Sequence, residues 1–203
     1  RGSRIASQTE SRLAEPFVRP DVRLFLDWLN GLPGPRTYEV GPAEARAMMV
    51  KSRHVADVPT GVLAVIRDLR CPGPSGEIGL RLHDARAERD PGPLFLFFHG
   101  GGFVLGDLDT YQGFCSEIAA ETGLPVVSVD YRLAPEHRFP AAPDDCEAAA
   151  RWIAGSPEEL GLEVTGLVPM GDSAGGNLAI VVTAALVAEP AAVPVVAQAP
   201  IYP

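Results

Sequence analysis

The chain has 203 residues, of which 46% are hydrophobic and 21% are charged. This length and this composition predict one globular domain with a substantial core. The formal net charge of −9 at pH 7 argues against nucleic acid and anionic membrane surfaces as partners.

The cysteines and the apolar tracts indicate the cellular compartment in which we expect the protein. Cys71, Cys115 and Cys146 are an odd number without CxxC spacing, so we interpret them as reduced packing residues and expect a cytoplasmic protein. No apolar signal-peptide core opens the sequence. The apolar tract at residues 178–201 is broken by a charged residue and by prolines, which favours a buried helix and strand over stable membrane insertion.

Two helices are predicted before the first strand. Apolar residues at positions 22, 25, 26 and 29 have the i, i+3, i+4, i+7 spacing of an amphipathic helix, and Gly31 with the Pro-Gly-Pro cluster after it stops this helix. A second helix is predicted from Pro42 to about residue 53, burying Ala45, Met48 and Met49.

An antiparallel strand pair is predicted next, at residues 61–69 and 77–83. The turn that joins the two strands, at residues 71–76, is too short for a helical crossover, so we place the pair at the edge of the sheet. His83 lies on a strand in which polar residues alternate with apolar ones. We therefore expect the His83 side chain to be exposed.

A buried strand followed by glycines is the first functional signal. Residues 93–98 are a continuous apolar run, as in a buried parallel strand, and His99, Gly100, Gly101 and Gly102 follow it. Three consecutive glycines cost backbone entropy and add no packing. Their pattern favours backbone N–H groups that approach a ligand closely, here an oxyanion, over a merely flexible loop.

Helices and strands alternate in the next part of the chain. We predict a helix around residues 111–118, a strand at 125–130, a helix from about 139 that buries positions 146, 149, 150 and 153, and a strand at 167–170. This alternation indicates a mostly parallel sheet. Arg132 and Glu136 lie in the motif Tyr-Arg-Leu-Ala-Pro-Glu, where we expect them to form a pair that braces the loop around the oxyanion site. We expect no catalytic role for His137.

The second functional signal is a serine between two glycines. Gly171, Asp172, Ser173, Ala174 and Gly175 lie between an apolar strand and a helix at residues 178–187, and another strand is predicted at 193–201. This G-x-S-x-G pattern is typical of a nucleophile elbow, in which the N–H of the residue after the serine also donates to the oxyanion. A serine-containing turn is also a common helix start, with the serine as an ordinary N-cap.

Three motifs together carry a family resemblance. The His-Gly-Gly-Gly at 99–102, the Asp-Tyr-Arg-Leu-Ala-Pro-Glu at 130–136 with Phe-Pro-Ala at 139–141, and the Gly-Asp-Ser-Ala-Gly at 171–175 appear in this order. The chain therefore resembles the hormone-sensitive-lipase-like α/β-hydrolases, a group of bacterial esterases. The resemblance implies an α/β-hydrolase fold, with a mostly parallel sheet, antiparallel edge strands and N-terminal cap helices.

The resemblance also implies domain boundaries and roles. Residues 1–55 would form a helical cap segment and residues 56–203 the N-terminal part of the catalytic domain. The helices of that segment either cover the active site or merely cover apolar surface, and its methionines suit either core packing or an acyl pocket. Ser173 would be the nucleophile and Gly101, Gly102 and Ala174 the oxyanion hole. Support is expected from His99, Gly100, Gly171, Asp172 and Gly175.

A serine nucleophile needs a base and an acid, and neither is visible. After Ser173 the sequence contains no aspartate and no histidine, and Glu189 is its only carboxylate. In the resembling family the acid and the histidine follow on later strands, so we expect an incomplete C-terminus. The expected partner is a C-terminal piece of the same protein, either continuous with this chain or as a second polypeptide.

Two functions of different classes remain open at this point. The first is a serine carboxylesterase that acts on short- to medium-chain acyl or aryl esters. The second is a non-catalytic receptor for a small ligand, as in the plant gibberellin receptors, which resemble this family and lack the catalytic histidine. An inactive fragment that needs a second chain is a further alternative. No metal or cofactor motif occurs, and the resemblance leaves a homodimer open.

Overall fold

The computed structural model describes residues 16–57 and 59–203. The chain forms two compact units, of which the first ends at Arg36 and the second spans Thr37–Pro203. Residues 1–15 of the cap segment expected at 1–55 lie outside the described residues. The boundary expected at residue 55 stays a prediction.

Two helices precede the sheet, as predicted. Helix α1 spans Pro20–Gly31 and helix α2 spans Pro42–Ala56, with a single 3₁₀ turn at Thr37–Glu39 between them. Both helices begin with a proline, whose fixed φ suits the first helical turn. In α2, Ala45 is buried and the two methionines beside it are half-buried.

The described part of the chain forms a six-stranded mixed sheet with the order β1-β2-β4-β3-β5-β6. The strands are β1 Val65–Gly73, β2 Gly76–Asp84, β3 Gly92–Phe98, β4 Val126–Asp130, β5 Val164–Asp172 and β6 Ala199–Ile201. Strand β2 runs antiparallel to β1 and to β4, whereas β3, β4, β5 and β6 are parallel to one another. The predicted antiparallel pair and the mostly parallel sheet are both confirmed.

The prediction for His83 is wrong, because its side chain is fully buried with a relative exposure of 0%. Strand β1 forms the edge of the sheet, but β2 lies between β1 and β4, so His83 has strands on both sides. Helix α3, at Gln112–Thr122, also packs against β2. The alternation of polar and apolar residues along β2 indicated that one face of the strand is exposed to solvent. In the folded protein, neighbouring elements cover His83 on that strand.

Two more helices cover the sheet, α4 at Ala141–Ala154 and α5 at Ala174–Ala188. The predicted buried face of α4 is confirmed, since positions 146, 149, 150 and 153 each have 0% relative exposure. Burial of an aliphatic side chain as large as Ile153 contributes ~1.5–3 kcal/mol. Helix α5 is apolar around much of its circumference and buries Leu178, Ala179, Val182 and Leu186.

The last strand is shorter than predicted. Regular pairing with β5 covers only Ala199–Ile201, although a strand was expected over residues 193–201. One isolated bridge, between Leu167 and Val195, marks the start of the expected strand. Pro194 and Pro200 have no N–H to donate to a neighbouring strand, which limits continuous pairing.

The topology brings the functional motifs to one edge of the sheet. Strands β3, β4 and β5 are parallel neighbours, so their carboxyl ends and the segments after residues 98, 130 and 172 lie on the same side. In open α/β sheets this is the side where ligands bind. No helix among the described residues is long and apolar enough to cross a lipid bilayer.

Candidate active site

Ser173 lies at the turn between β5 and α5, with φ of +51° and ψ of −117°. A positive φ in a residue other than glycine costs about 1–3 kcal/mol and is concentrated at functional sites. The Ser173 N–H donates to the Ile201 carbonyl at 2.9 Å. The Ser173 side chain makes no capping hydrogen bond to α5, so its hydroxyl does not serve as an N-cap.

The two glycines of this turn are required by close backbone approach. A Cβ on Gly175 would overlap the Phe98 carbonyl at the end of β3. A Cβ on Gly171 would overlap both that carbonyl and the backbone of Gly175. The absence of these side chains lets the turn pack directly against the start of the glycine loop.

The glycine loop, residues 99–102, leaves β3 in a conformation that favours glycine. Gly101 has φ of +119° and Gly102 has φ of +62°. The Gly101 carbonyl accepts the N–H groups of Val104 at 3.1 Å and Leu105 at 2.9 Å, which closes the loop into a turn. A Cβ on Gly102 would project into open space, so ligand atoms have room beside this residue.

Asp172 connects the serine turn to the glycine loop. Its carboxylate accepts the Gly100 N–H at 2.9 Å, the Tyr111 hydroxyl at 2.9 Å and the Tyr202 hydroxyl at 3.3 Å. Burial, together with the negative charge of Asp172, raises the pKa of Tyr111, so Tyr111 keeps its proton and remains a donor. The residue next to Ser173 therefore holds the first glycine of the loop in place.

His99 is a buried brace at the base of the loop. Its ring stacks on Tyr131, with centroids 4.3 Å apart and an interplanar angle of 15°. The Tyr131 hydroxyl donates to the His99 carbonyl at 2.7 Å, and His99 Nδ1 lies 2.8 Å from the Gly100 carbonyl. Burial lowers the pKa of His99, which favours the neutral imidazole.

The expected pair between Arg132 and Glu136 is wrong. Arg132 instead binds Asp145 of α4, with Nε and Nη2 each 2.8 Å from a carboxylate oxygen. Glu136 binds Arg46 of α2 at 2.8 and 3.0 Å, and the hydrogen bonds from Arg46 lower the pKa of Glu136 to about 2. Both partners lie on helices outside the motif, 13 residues from Arg132 and 90 residues from Glu136, so spacing within the motif could not identify them.

Next to Asp172 is a cavity of about 510 Å³. It is lined by Met49, Ser52, Arg53, Asp57, Thr110, Tyr111, Phe114, Asp172, Ile201 and Tyr202. Its size lies in the range of small-molecule sites. Of the two methionines that the sequence offered for an acyl pocket, Met49 lines this cavity and Met48 does not. The tyrosines were missed because nothing in their local sequence distinguishes them from core aromatics.

The comparisons with known proteins agree with this geometry. The α/β-hydrolase fold family matches residues 95–203, which is more than half of the chain. The chain therefore belongs to the α/β-hydrolase family. The resemblance deduced from the three motifs and the predicted α/β-hydrolase fold are confirmed.

Particular relatives show how much of a family member the chain represents. It is 47% identical over 117 residues to the esterase LipI of Mycobacterium tuberculosis, a match of 57% of this chain and 37% of LipI. It is 37% identical over 176 residues to the carboxylesterase NlhH of the same organism, a match of 85% of this chain and 53% of NlhH. The chain thus spans about half or less of the length of these curated relatives.

Solved structures give the same result for the fold. An α/β hydrolase enzyme from the metagenome of Lake Arreo, Spain, superimposes with a TM-score of 0.82 at 32% sequence identity. The match covers 92% of this chain and 60% of that chain.

Proposed function

We propose that this chain is the nucleophile-bearing part of a serine carboxylesterase for short- to medium-chain acyl or aryl esters. The observation that carries the proposal is the Ser173 turn, where a hydroxyl that caps no helix lies at a positive-φ residue beside Asp172. The carboxylate of Asp172 in turn holds the glycine loop through Gly100. Relatives that are named esterase and carboxylesterase support esters as the substrates.

The proposed reaction proceeds through an acyl-enzyme. Ser173 Oγ attacks the ester carbonyl carbon as a general base takes the hydroxyl proton, and the carbonyl oxygen becomes an oxyanion that accepts hydrogen bonds from the N–H groups of Gly101, Gly102 and Ala174. As this intermediate collapses, the protonated base returns the proton to the leaving oxygen, so that the alcohol departs and the acyl group stays on Ser173. Attack by water then releases the carboxylic acid and restores the hydroxyl.

The proposal needs a general base and an acid from outside these 203 residues. His99 does not fit the role of base, because its buried ring is stacked on Tyr131. We propose that the acid and the base lie in a C-terminal segment of the complete protein, or in a second polypeptide derived from it. The chain by itself would then be inactive.

The cavity beside Asp172 is the proposed binding site for one arm of the ester. Its volume of about 510 Å³ accommodates a medium-length acyl or aryl group. Met49, Phe114 and Ile201 supply apolar surface, and Met49 brings an adaptable side chain. Since the three free cysteines are buried, we also propose a reducing, cytoplasmic location. The homodimer that the resemblance leaves open stays a prediction.

The test is labelling of the complete protein with a fluorophosphonate, read by intact mass, together with hydrolysis of p-nitrophenyl esters of increasing acyl length. We expect one adduct, on Ser173, and the highest kcat/KM with short to medium chains. Ser173→Ala should lose both the adduct and the hydrolysis. Ser75→Ala, in the exposed β1–β2 turn, is the matched control and should keep both.

The outcomes separate the alternatives. An adduct that persists in Ser173→Ala would refute Ser173 as the nucleophile. A wild-type protein that binds small apolar carboxylates but neither reacts with the phosphonate nor hydrolyses esters would support the receptor. An adduct on this chain in a sample that contains a second polypeptide would support an acid and a base supplied by that piece.

A further inference from the structure

Arg46 joins helix α2 to the segments that follow two neighbouring strands. Its Nε–H donates to the Val104 carbonyl at 2.7 Å, and Nη2 donates to the Ala134 carbonyl at 2.9 Å. The two Nη groups also bind the carboxylate of Glu136, at 3.0 and 2.8 Å. One side chain therefore contacts the segment after β3 and the segment after β4 at once.

These two segments are also bonded to each other at the same place. The Ala134 N–H donates to the Phe103 carbonyl at 2.8 Å, next to the peptide whose carbonyl accepts Arg46 Nε. The Val104 N–H donates to the Gly101 carbonyl at 3.1 Å. The peptide group between Gly101 and Gly102, which carries the Gly102 N–H, is thus connected through Val104 to the guanidinium of Arg46.

We propose that Arg46 is a positioning residue for ester hydrolysis, one that fixes the far end of the glycine loop and so aims the N–H group of Gly102. This inference rests on the function proposed above. Asp172 holds the near end of the loop through Gly100, and Arg46 holds the end beyond Gly102.

The planar guanidinium is suited to this role, because its donors are fixed in a fork that reaches two carbonyls and a carboxylate together. The side chain of Arg46 is 29% exposed and that of Glu136 is 51% exposed. An ion pair with this much exposure contributes little to stability. The bonds to the Val104 and Ala134 carbonyls therefore matter more for the loop than the pair with Glu136.

The test uses three variants of the complete protein. Arg46→Met removes every donor but keeps an apolar stem, Arg46→Lys keeps the charge without the fork, and Glu136→Gln removes the ion pair but leaves the carbonyl bonds. We expect Arg46→Met to lower kcat by ~10–100-fold, as for a small misplacement of reacting groups, with KM changed less than about threefold. Arg46→Lys should recover only part of kcat, whereas Glu136→Gln should stay within about threefold of wild type.

Hydrogen–deuterium exchange gives a readout that does not need catalysis. In Arg46→Met the amides of Val104 and Leu105 should exchange faster than in wild type, because the turn they form on Gly101 loses its anchor. In Glu136→Gln their exchange should stay at the wild-type rate.

The possible failures are distinguishable. If Ser173→Ala is inactive but Arg46→Met keeps wild-type kcat, the role of Arg46 is refuted and the proposed function stands. A rise in KM at constant kcat would make Arg46 a substrate contact and also refute positioning. If the wild type hydrolyses no ester, the proposed function fails, and exchange alone decides whether Arg46 orders the loop. Equal effects of Arg46→Met and Glu136→Gln would assign the effect to the ion pair and overturn the inference.

Discussion

The buried imidazole of His83 should make the folded protein sensitive to mild acid. The side chain is fully buried on β2, between β1 and β4. Burial, helped by the positive charge of Arg81, lowers the pKa of His83 to about 4. The peptide groups of Val126 and Arg81 and the carboxylate of Asp68 act in the opposite direction but are weaker. The folded state therefore resists protonation that the unfolded state accepts.

The size of the effect follows from the two pKa values. An unfolded histidine titrates near 6.5 and the folded His83 near 4, so the full difference is about 3 kcal/mol at 1.36 kcal/mol per pKa unit. Well above pH 6.5 both states are neutral, and no stability is lost. As the pH falls from 7.5 to 5, the unfolded state takes up the proton first, and the free energy of unfolding decreases by about 2 kcal/mol. The rest of the loss comes between pH 5 and about 3, as the folded state titrates around its His83 pKa of about 4.

Other groups are separable by their pH range. The pKa of Asp68 is lowered by hydrogen bonds from Arg81, and the stability it contributes is lost only as the pH falls below the ordinary carboxylate range near 4. The pKa of His99 is also lowered by burial, so this residue acts in the same direction as His83. Burial raises the pKa of Asp130, which acts in the opposite direction, so the contribution of His83 is isolated by comparison with a variant that lacks this histidine.

The assay is urea unfolding of the complete protein at pH 7.5 and 5.0, followed by tryptophan fluorescence. The variant is His83→Leu, which has nearly the same volume and no proton to bind. Its loss of unfolding free energy between the two pH values should be about 2 kcal/mol smaller than that of wild type. His137→Leu removes an exposed histidine and is the matched control, with the wild-type loss expected. An equal loss in His83→Leu and wild type would refute the reasoning.

Two further substitutions test the loop and the core. Gly101→Pro imposes φ near −65° where the structure has +119°, and it removes a proposed oxyanion donor, so kcat for ester hydrolysis should fall at least ~100-fold. The control His137→Ala should barely change kcat. An unchanged kcat in Gly101→Pro would show that the loop has another role. Ile153→Ala empties a fully buried position of α4 and should lower the free energy of unfolding by ~2–5 kcal/mol in urea titrations. A loss below about 1 kcal/mol would contradict tight packing of this helix.

Elements defined by local periodicity were predicted well from the sequence. The apolar run of β3 and the buried face of α4 follow rules that act over a few residues, and both are present where expected. The turn around Ser173 was also located, because its two glycines mark a place where backbone segments must approach each other closely.

Features set by distant residues could not be predicted in this way. His83 lies on a strand of alternating polarity, yet its burial depends on β4, which follows more than 40 residues later, and on α3. The partners of Glu136 and Arg132 are on α2 and α4. Local sequence spacing does not encode such pairings. The apolar character of residues 193–201 overestimates the length of β6, because Pro194 and Pro200 within the segment have no N–H for strand pairing.

The contacts divide the site into a fixed part and an adjustable part. Strands β3 and β5 are neighbours in the sheet, and the Gly100–Asp172 hydrogen bond spans their ends, so the glycine loop and Ser173 are held by the same rigid framework. The cavity wall, by contrast, comes partly from α2, which reaches these loops through the side chain of Arg46. Under the proposed function, changes in α2 are expected to alter which esters fit and to leave the chemistry intact as long as Arg46 keeps its two carbonyl partners. A screen of α2 variants should accordingly separate into substitutions that change KM between acyl lengths and substitutions at Arg46 that lower kcat for all of them.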